Sequence, residues 1–186
     1  MTQGAFDLAL LLVRITLGAV MIMHGKNHLW GKGGVEGTAR WFASLGFRPA
    51  RVHALLSGYG ELAAGAGLIL GLLTPIAAAA VIATMCVAGW AAHRPNGFFI
   101  FRDGYEYVLV IAVTVLAVAI LGPGRYSLDH FVGIVDYDEP TSAGLVGLSG
   151  GLLAIVLGVG GAAALLATSW RPATKAEQPD PSSDVA

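Results

Sequence analysis

AGLVGLSGGLLAIVLGVGGAAALLA, residues 143–167, has no charged side chain. A helix rises about 1.5 Å per residue and a bilayer's hydrocarbon core is roughly 30 Å thick, so this run suffices to cross it. Four further runs read the same way. They extend from about Phe6 to Met23 with Arg14 inside, from Leu55 to Leu73 with Glu61 inside, from Pro75 to Ala92, and from Tyr105 to Leu121 with Glu106 at its start. The runs are continuously apolar rather than alternating, which favours helices over barrel strands. The expected fold is therefore all-α, a polytopic membrane helix bundle.

Composition agrees. The chain is 55% hydrophobic and 12% charged, about half the charge of a soluble domain. No basic and aromatic surface of the kind that holds nucleic acid is present. One cysteine, Cys86, excludes an internal disulfide or a Cys-x-x-Cys pair and reads as a packing residue. Residues 1–7 lack the basic start of a signal peptide, so the first run is expected to stay as a membrane helix. Glycines within the runs, such as Gly67-x-x-x-Gly71, Gly58, Gly65 and Gly151, let helices approach closely and permit a homo-oligomer.

Charge outside the runs is one-sided. Lys26, Lys32, Arg40, Arg48, Arg51, Arg94, Arg102, Arg171 and Lys175 fall on one side and only Arg125 on the other. By the positive-inside rule the first side is cytoplasmic, the N-terminus is outside and the C-terminus inside a plasma membrane. The four tryptophans share the cytoplasmic side as interfacial anchors. Residues 35–45 read as a short helix lying at that interface. The tail after Trp170 is rich in Pro, Ser, Asp and Ala and is expected to be disordered.

Ionisable residues inside spans mark candidate functional positions. Arg14 and Glu61 are two, each equally readable as a structural pin. His24 and His28, four apart, share a helix face; with Glu61, His93 and Glu106 they are expected to form one polar layer at the cytoplasmic end. Such a layer suits a polar ligand site or proton transfer to a quinone headgroup. Metal is the weaker alternative, with His24, His28, His93 and Glu106 as ligands, because no tight ligand spacing occurs. Asn96, in the Asn96-Gly97-Phe98-Phe99 turn, can cover a pocket, and Lys26 can contact lipid phosphate or orient an anion.

Several of these residues resemble the DoxX family: Arg14, Gly25-Lys26, Gly46, Pro49, and Glu61 with Gly65. The stretch Gly122-Pro123-Gly124-Arg125-Tyr126-Ser127-Leu128-Asp129 resembles it too. Thr38-Ala39-Arg40-Trp41-Phe42, His93 and Asn96-Gly97-Phe98-Phe99 look like its actinobacterial branch. The resemblance covers about residues 6–130. It implies a four-helix membrane domain over 1–130 and a link to redox metabolism, since relatives include the DoxD subunit of a thiosulfate:quinone oxidoreductase. An acidic extracytoplasmic loop (131–142), an added fifth transmembrane helix (143–168) and a tail (169–186) then depart from it.

Three functions follow as expectations. The first is a redox-linked subunit binding a quinone or similar lipid-soluble ligand. The second is a non-catalytic scaffold recruiting cytoplasmic oxidative-stress enzymes through residues 26–53, within a larger membrane complex. The third is a small transporter or proton pathway. The residues fix no reaction, electron donor or substrate.

Overall fold

The computed structural model describes residues 2–137 and 145–172. Asp138 and Glu139 of the acidic loop, Ala143 and Gly144 of the quoted run, and the tail from residue 173 lie outside them. A helix falls on each of the five apolar runs: α1 (Gln3–Trp30), α3 (Ala50–Leu70), α4 (Thr74–Ala88), α5 (Glu106–Leu121) and α7 (Gly147–Ser169). Two short helices join them, α2 (Gly34–Ser44) and α6 (Leu128–Phe131). Beyond α4 the helix continues as a π-helical turn, Gly89–His93, and a 3-10 turn, Arg94–Asn96. Gln3–Trp30, Thr74–Asn96 and Gly147–Ser169 are long and apolar enough to cross a membrane, while Glu106–Leu121 is a shorter apolar helix. α3 has the length, at 21 residues, but Ser57, Glu61 and interior glycines dilute its apolar content.

Glycine sets how α1 and α3 meet. They run antiparallel, and Gly18 faces Gly65 while Gly25 faces Gly58. A methyl built on Gly18 would lie 2.5 Å from the Gly65 carbonyl oxygen, and one on Gly65 would lie 2.6 Å from that of Gly18. At the second crossing, a methyl on Gly25 would lie 2.5 Å from the Gly58 carbonyl oxygen. Each helix thus presents a glycine every seven residues, two turns, on one stripe. The backbones touch there because neither carries a Cβ. This contact fixes which residues of α1 reach which residues of α3.

The turn from α3 to α4 follows from residue type. Gly71, at φ 62°, closes α3 in the left-handed conformation, with Leu72 N–H reaching back to the Gly67 carbonyl at 2.9 Å. Pro75 then occupies the first turn of α4, where its missing N–H costs nothing. α4 packs against α5 and α7 around Ala78, Val81, Ile82, Val115, Val118 and Ala154. Gly158 lets α7 approach α4, for a methyl there would meet Ile82 at 2.8 Å and the Ala79 carbonyl oxygen at 2.9 Å.

The outside is apolar. Leu12, Met23, Leu56, Val113, Leu148 and Val156 are exposed, whereas small residues fill much of the interior. In water so much exposed apolar surface would drive aggregation; in a bilayer it is the solvated face. The chain is an all-α membrane helix bundle.

Candidate functional site

The ends of the bundle carry different polar constructions. At one, α2 folds back across the α1 and α3 termini, held by Thr38 Oγ1 donating to the His28 carbonyl at 2.9 Å. Beneath it lies a cavity of about 190 Å³ between α1, α2, α3, α4 and α7. Aromatic rings rim it in sequence: Trp41 stacks on His28 with centroids 6.1 Å apart, and His28 meets Phe42 edge-on at 5.7 Å. Phe42 packs on Phe47 at 5.6 Å, and Phe47 on His53 at 5.8 Å.

α3 supplies the polar wall. His53, Ser57 and Glu61 recur every four residues and form one stripe along the helix. Ser57 Oγ donates to Glu61 Oε1, and His28 Nε2 lies 3.6 Å from that same oxygen. Glu61 is 3% exposed. Among the described residues, its other oxygen, Oε2, and both ring nitrogens of His53 are buried without a hydrogen-bond partner. Such groups cost free energy unless something fills their valences, and here they line a cavity.

Only part of the expected layer of three histidines and two carboxylates is in direct contact. His28 and Glu61 do meet. His24 and Lys26 sit exposed on α1, with His24 in electrostatic reach of both His93 and His28. His93 Nδ1 instead contacts the Asp103 carbonyl at 2.9 Å and its carboxylate at 3.5 Å. Asn96 Nδ2 donates to that same carbonyl at 3.2 Å, and Glu106 accepts from the Ile100 N–H at 3.0 Å. The loop between α4 and α5 therefore satisfies His93, Asn96 and Glu106 within itself. Among the described residues no three His, Cys, Asp or Glu side chains group as metal ligands, so the set His24, His28, His93 and Glu106 is not assembled.

Arg14 belongs to the opposite end. It is fully buried and donates through Nη2 to the Tyr126 carbonyl, while its guanidinium packs where a Gly71 side chain would be. Around it the loop after α5 is tied down. Asp129 accepts from Leu73 N–H at 2.7 Å and from Thr74 N–H and Oγ1, each at 3.0 Å. Asp7 accepts from Arg125 N–H at 3.1 Å, and Tyr137 Oη accepts from Gly124 N–H at 2.7 Å. Arg14 and Glu61 thus stand at different ends, and among the described residues Arg14 Nε and Nη1 are buried without a hydrogen-bond partner.

Comparison with known proteins now bears on this arrangement. The DoxX family model matches residues 9–94. Residues 9–94, a little under half of the chain, are thus similar to the DoxX family. The DoxX match takes in α1 to α4, with His28, Phe47, His53 and Glu61, and stops at Arg94, short of the 122–129 stretch. An uncharacterized protein of Haemophilus influenzae is 29% identical over 100 residues, 50% of this chain and 66% of that protein, so just under two thirds of its length is covered. No solved structure matches.

The DoxX region does not complete the cavity. Gly161, Ala162 and Leu165 of α7 close one side. The end of α7 is joined to the α2–α3 connection: Trp170 Nε1 donates to the Leu45 carbonyl at 2.8 Å, Arg48 N–H to that of Ser169 at 2.9 Å, and Arg171 N–H to that of Gly46 at 2.8 Å. Trp170 is more than an interfacial anchor; it ties α7 to the site. His53, Ser57 and the Phe42–Phe47 rim escape sequence reading, although the His53–Ser57–Glu61 spacing is a signal available there. Asp7 escapes it too, and Asp129 enters it only as the end of the 122–129 stretch.

Proposed function

We propose that this protein binds a lipid-soluble ligand with a hydrogen-bonding headgroup, a quinone being the best fit, in the cavity under α2. The observation that carries this reading is the unpartnered, buried set of Glu61 Oε2 and the two His53 nitrogens lining an otherwise aromatic and aliphatic space. A quinone ring presents two carbonyl acceptors and an apolar face. A neutral imidazole has one N–H to donate to such a carbonyl, and a protonated carboxyl has one O–H. The aromatic rim takes the ring face.

The same residues suit proton movement. Glu61 touches Ser57 and lies beside His28, whose side chain is 15% exposed. His28 thus stands between the buried carboxyl and the surface, so protons for a reduced quinone would pass along Glu61 and His28. Electrons would come from a partner, which fits a redox-linked subunit, and the excess of basic residues at this end supports a cytoplasmic location for it.

The test is titration of the purified full-length protein in detergent with a short-tailed benzoquinone, followed by tryptophan quenching. His53→Ala and Glu61→Ala each weaken binding by roughly tenfold, as loss of a hydrogen bond in a buried site does. Leu165→Trp, which fills the cavity from α7, abolishes it. Unchanged affinity in all three variants removes the cavity as the site.

A further inference from the structure

We propose that a second groove, on the other side of α7, holds an acyl chain of an anionic phospholipid whose phosphate sits on Arg94. This groove, of about 540 Å³, opens between α4, α5 and α7. Met85, Leu109, Ala112, Val159, Ala163 and Leu166 form its apolar walls. From Tyr105 to Ala112 on α5, and from Val159 to Leu166 on α7, it runs roughly 10 Å along the helices. That takes the upper methylenes of one chain. It shares no polar residue with the cavity under α2, so the proposal stands independently of the quinone reading.

The polar end of the groove is built for a phosphate. Trp90, Arg94 and Tyr105 close it. The Arg94 guanidinium lies 4.2 Å over the Trp90 ring. Stacking holds the plane of the guanidinium in place and leaves its edge N–H groups for an anion. The π-helical turn Gly89–His93 sets Trp90 and Arg94 at this mouth; insertions of that kind recur at binding sites.

Charge complementarity selects an anion. Among the described residues no carboxylate forms an ion pair with Arg94. The two acids of the adjoining loop are engaged, Asp103 with His93 and Glu106 with the Ile100 N–H. Arg94 therefore presents its charge at the mouth of the groove without a carboxylate partner among the described residues, while over the whole loop Asp103 and Glu106 balance Arg94 and Arg102. Depth agrees as well. Phe98, Phe99 and Phe101 are exposed on that loop, and exposed aromatic rings settle where headgroups meet acyl chains. Arg94 then lies at phosphate level.

Native mass spectrometry of the full chain, released from detergent micelles, tests the assignment with phosphatidylglycerol and phosphatidylcholine of equal chain length. The wild type retains one phosphatidylglycerol in preference to phosphatidylcholine. Arg94→Gln weakens this retention roughly fivefold, the effect of one arginine at a lipid surface. Ala163→Phe, which narrows the groove at an exposed α7 position, does the same while leaving the headgroup site intact. Equal retention of the two lipids by the wild type, or unchanged retention in both variants, overturns the proposal. So does displacement by inorganic phosphate, which would make the site one for a free anion.

Discussion

Replacing Asp129 with alanine should cost this protein a large part of its stability. The carboxylate is 1% exposed and caps the start of α4 from a loop more than fifty residues away in sequence. Removing it strands Thr74 N–H and Oγ1, both buried, and Leu73 N–H, whose residue is half exposed and can turn to water. A buried donor left without a partner costs about 1–3 kcal/mol. An anion at a helix N-terminus adds up to about 1 kcal/mol. Two full penalties and one partial one give roughly 3–5 kcal/mol for Asp129→Ala. Asp129→Asn keeps one acceptor oxygen in place and should cost about 1–2 kcal/mol. Unfolding of the purified chain in mixed micelles with rising dodecyl sulfate measures both, and hydrogen exchange locates the damage. The Leu73 and Thr74 amides should lose protection before those of α1. An alanine variant within about 0.5 kcal/mol of the wild type, or no worse than asparagine, would refute the reasoning.

The other predictions concern separate parts of the molecule. Gly65→Ala places a methyl 2.6 Å from a backbone oxygen and should destabilise by about 1–3 kcal/mol; Gly60→Ala, with nothing within 4 Å, should be neutral or slightly stabilising in the same unfolding assay. Trp170→Phe loses the bond to Leu45 and should cost about 0.5–1.5 kcal/mol, with faster hydrogen exchange at the Arg48 and Arg171 amides as the readout. Burial pushes the Tyr137 phenol above its ordinary 10.0. The unfolded chain therefore gives up that proton first, so stability is full below pH 10 and falls as pH rises through the folded-state value; Tyr137→Phe should flatten that slope. Glu36→Gln breaks the exposed 2.7 Å pair with Arg51 and should change stability by less than about 1 kcal/mol.

How far these features were legible differs by length scale. Each long apolar run announces a helix because lipid leaves the backbone no other way to satisfy its own hydrogen bonds. The recurrence of apolar residues at Val35, Ala39, Trp41, Phe42 and Leu45 likewise announces α2, which forms at Gly34–Ser44. The composition of the site was less accessible. That His28 reaches Glu61 depends on the crossing of α1 and α3, and so on Gly18 meeting Gly65 and Gly25 meeting Gly58. Gly60, equally prominent in sequence, faces open space. His93, Asn96 and Glu106 lie near the right membrane level, but hydropathy cannot show that a short loop will turn their polar atoms onto its own backbone. Asp7 and Asp129 bond to chain segments far away in sequence, and only the folded packing reveals those partners.

The junction of Trp170 with residues 45–48 also fixes an order of events in time. A chain emerges N-terminus first, so α1 to α4 are made and in the bilayer long before Leu165 and Trp170 exist. Until then the pocket walled by His53 and Glu61 is a slot with one side missing, open to whatever lipid lies beside it. Seating of the last helix turns that slot into a chamber. The proposed binding site is therefore completed only after α1 to α4 are in place, and defects in the Leu165–Trp170 segment should appear first as leaky or absent binding in a bundle that otherwise stands.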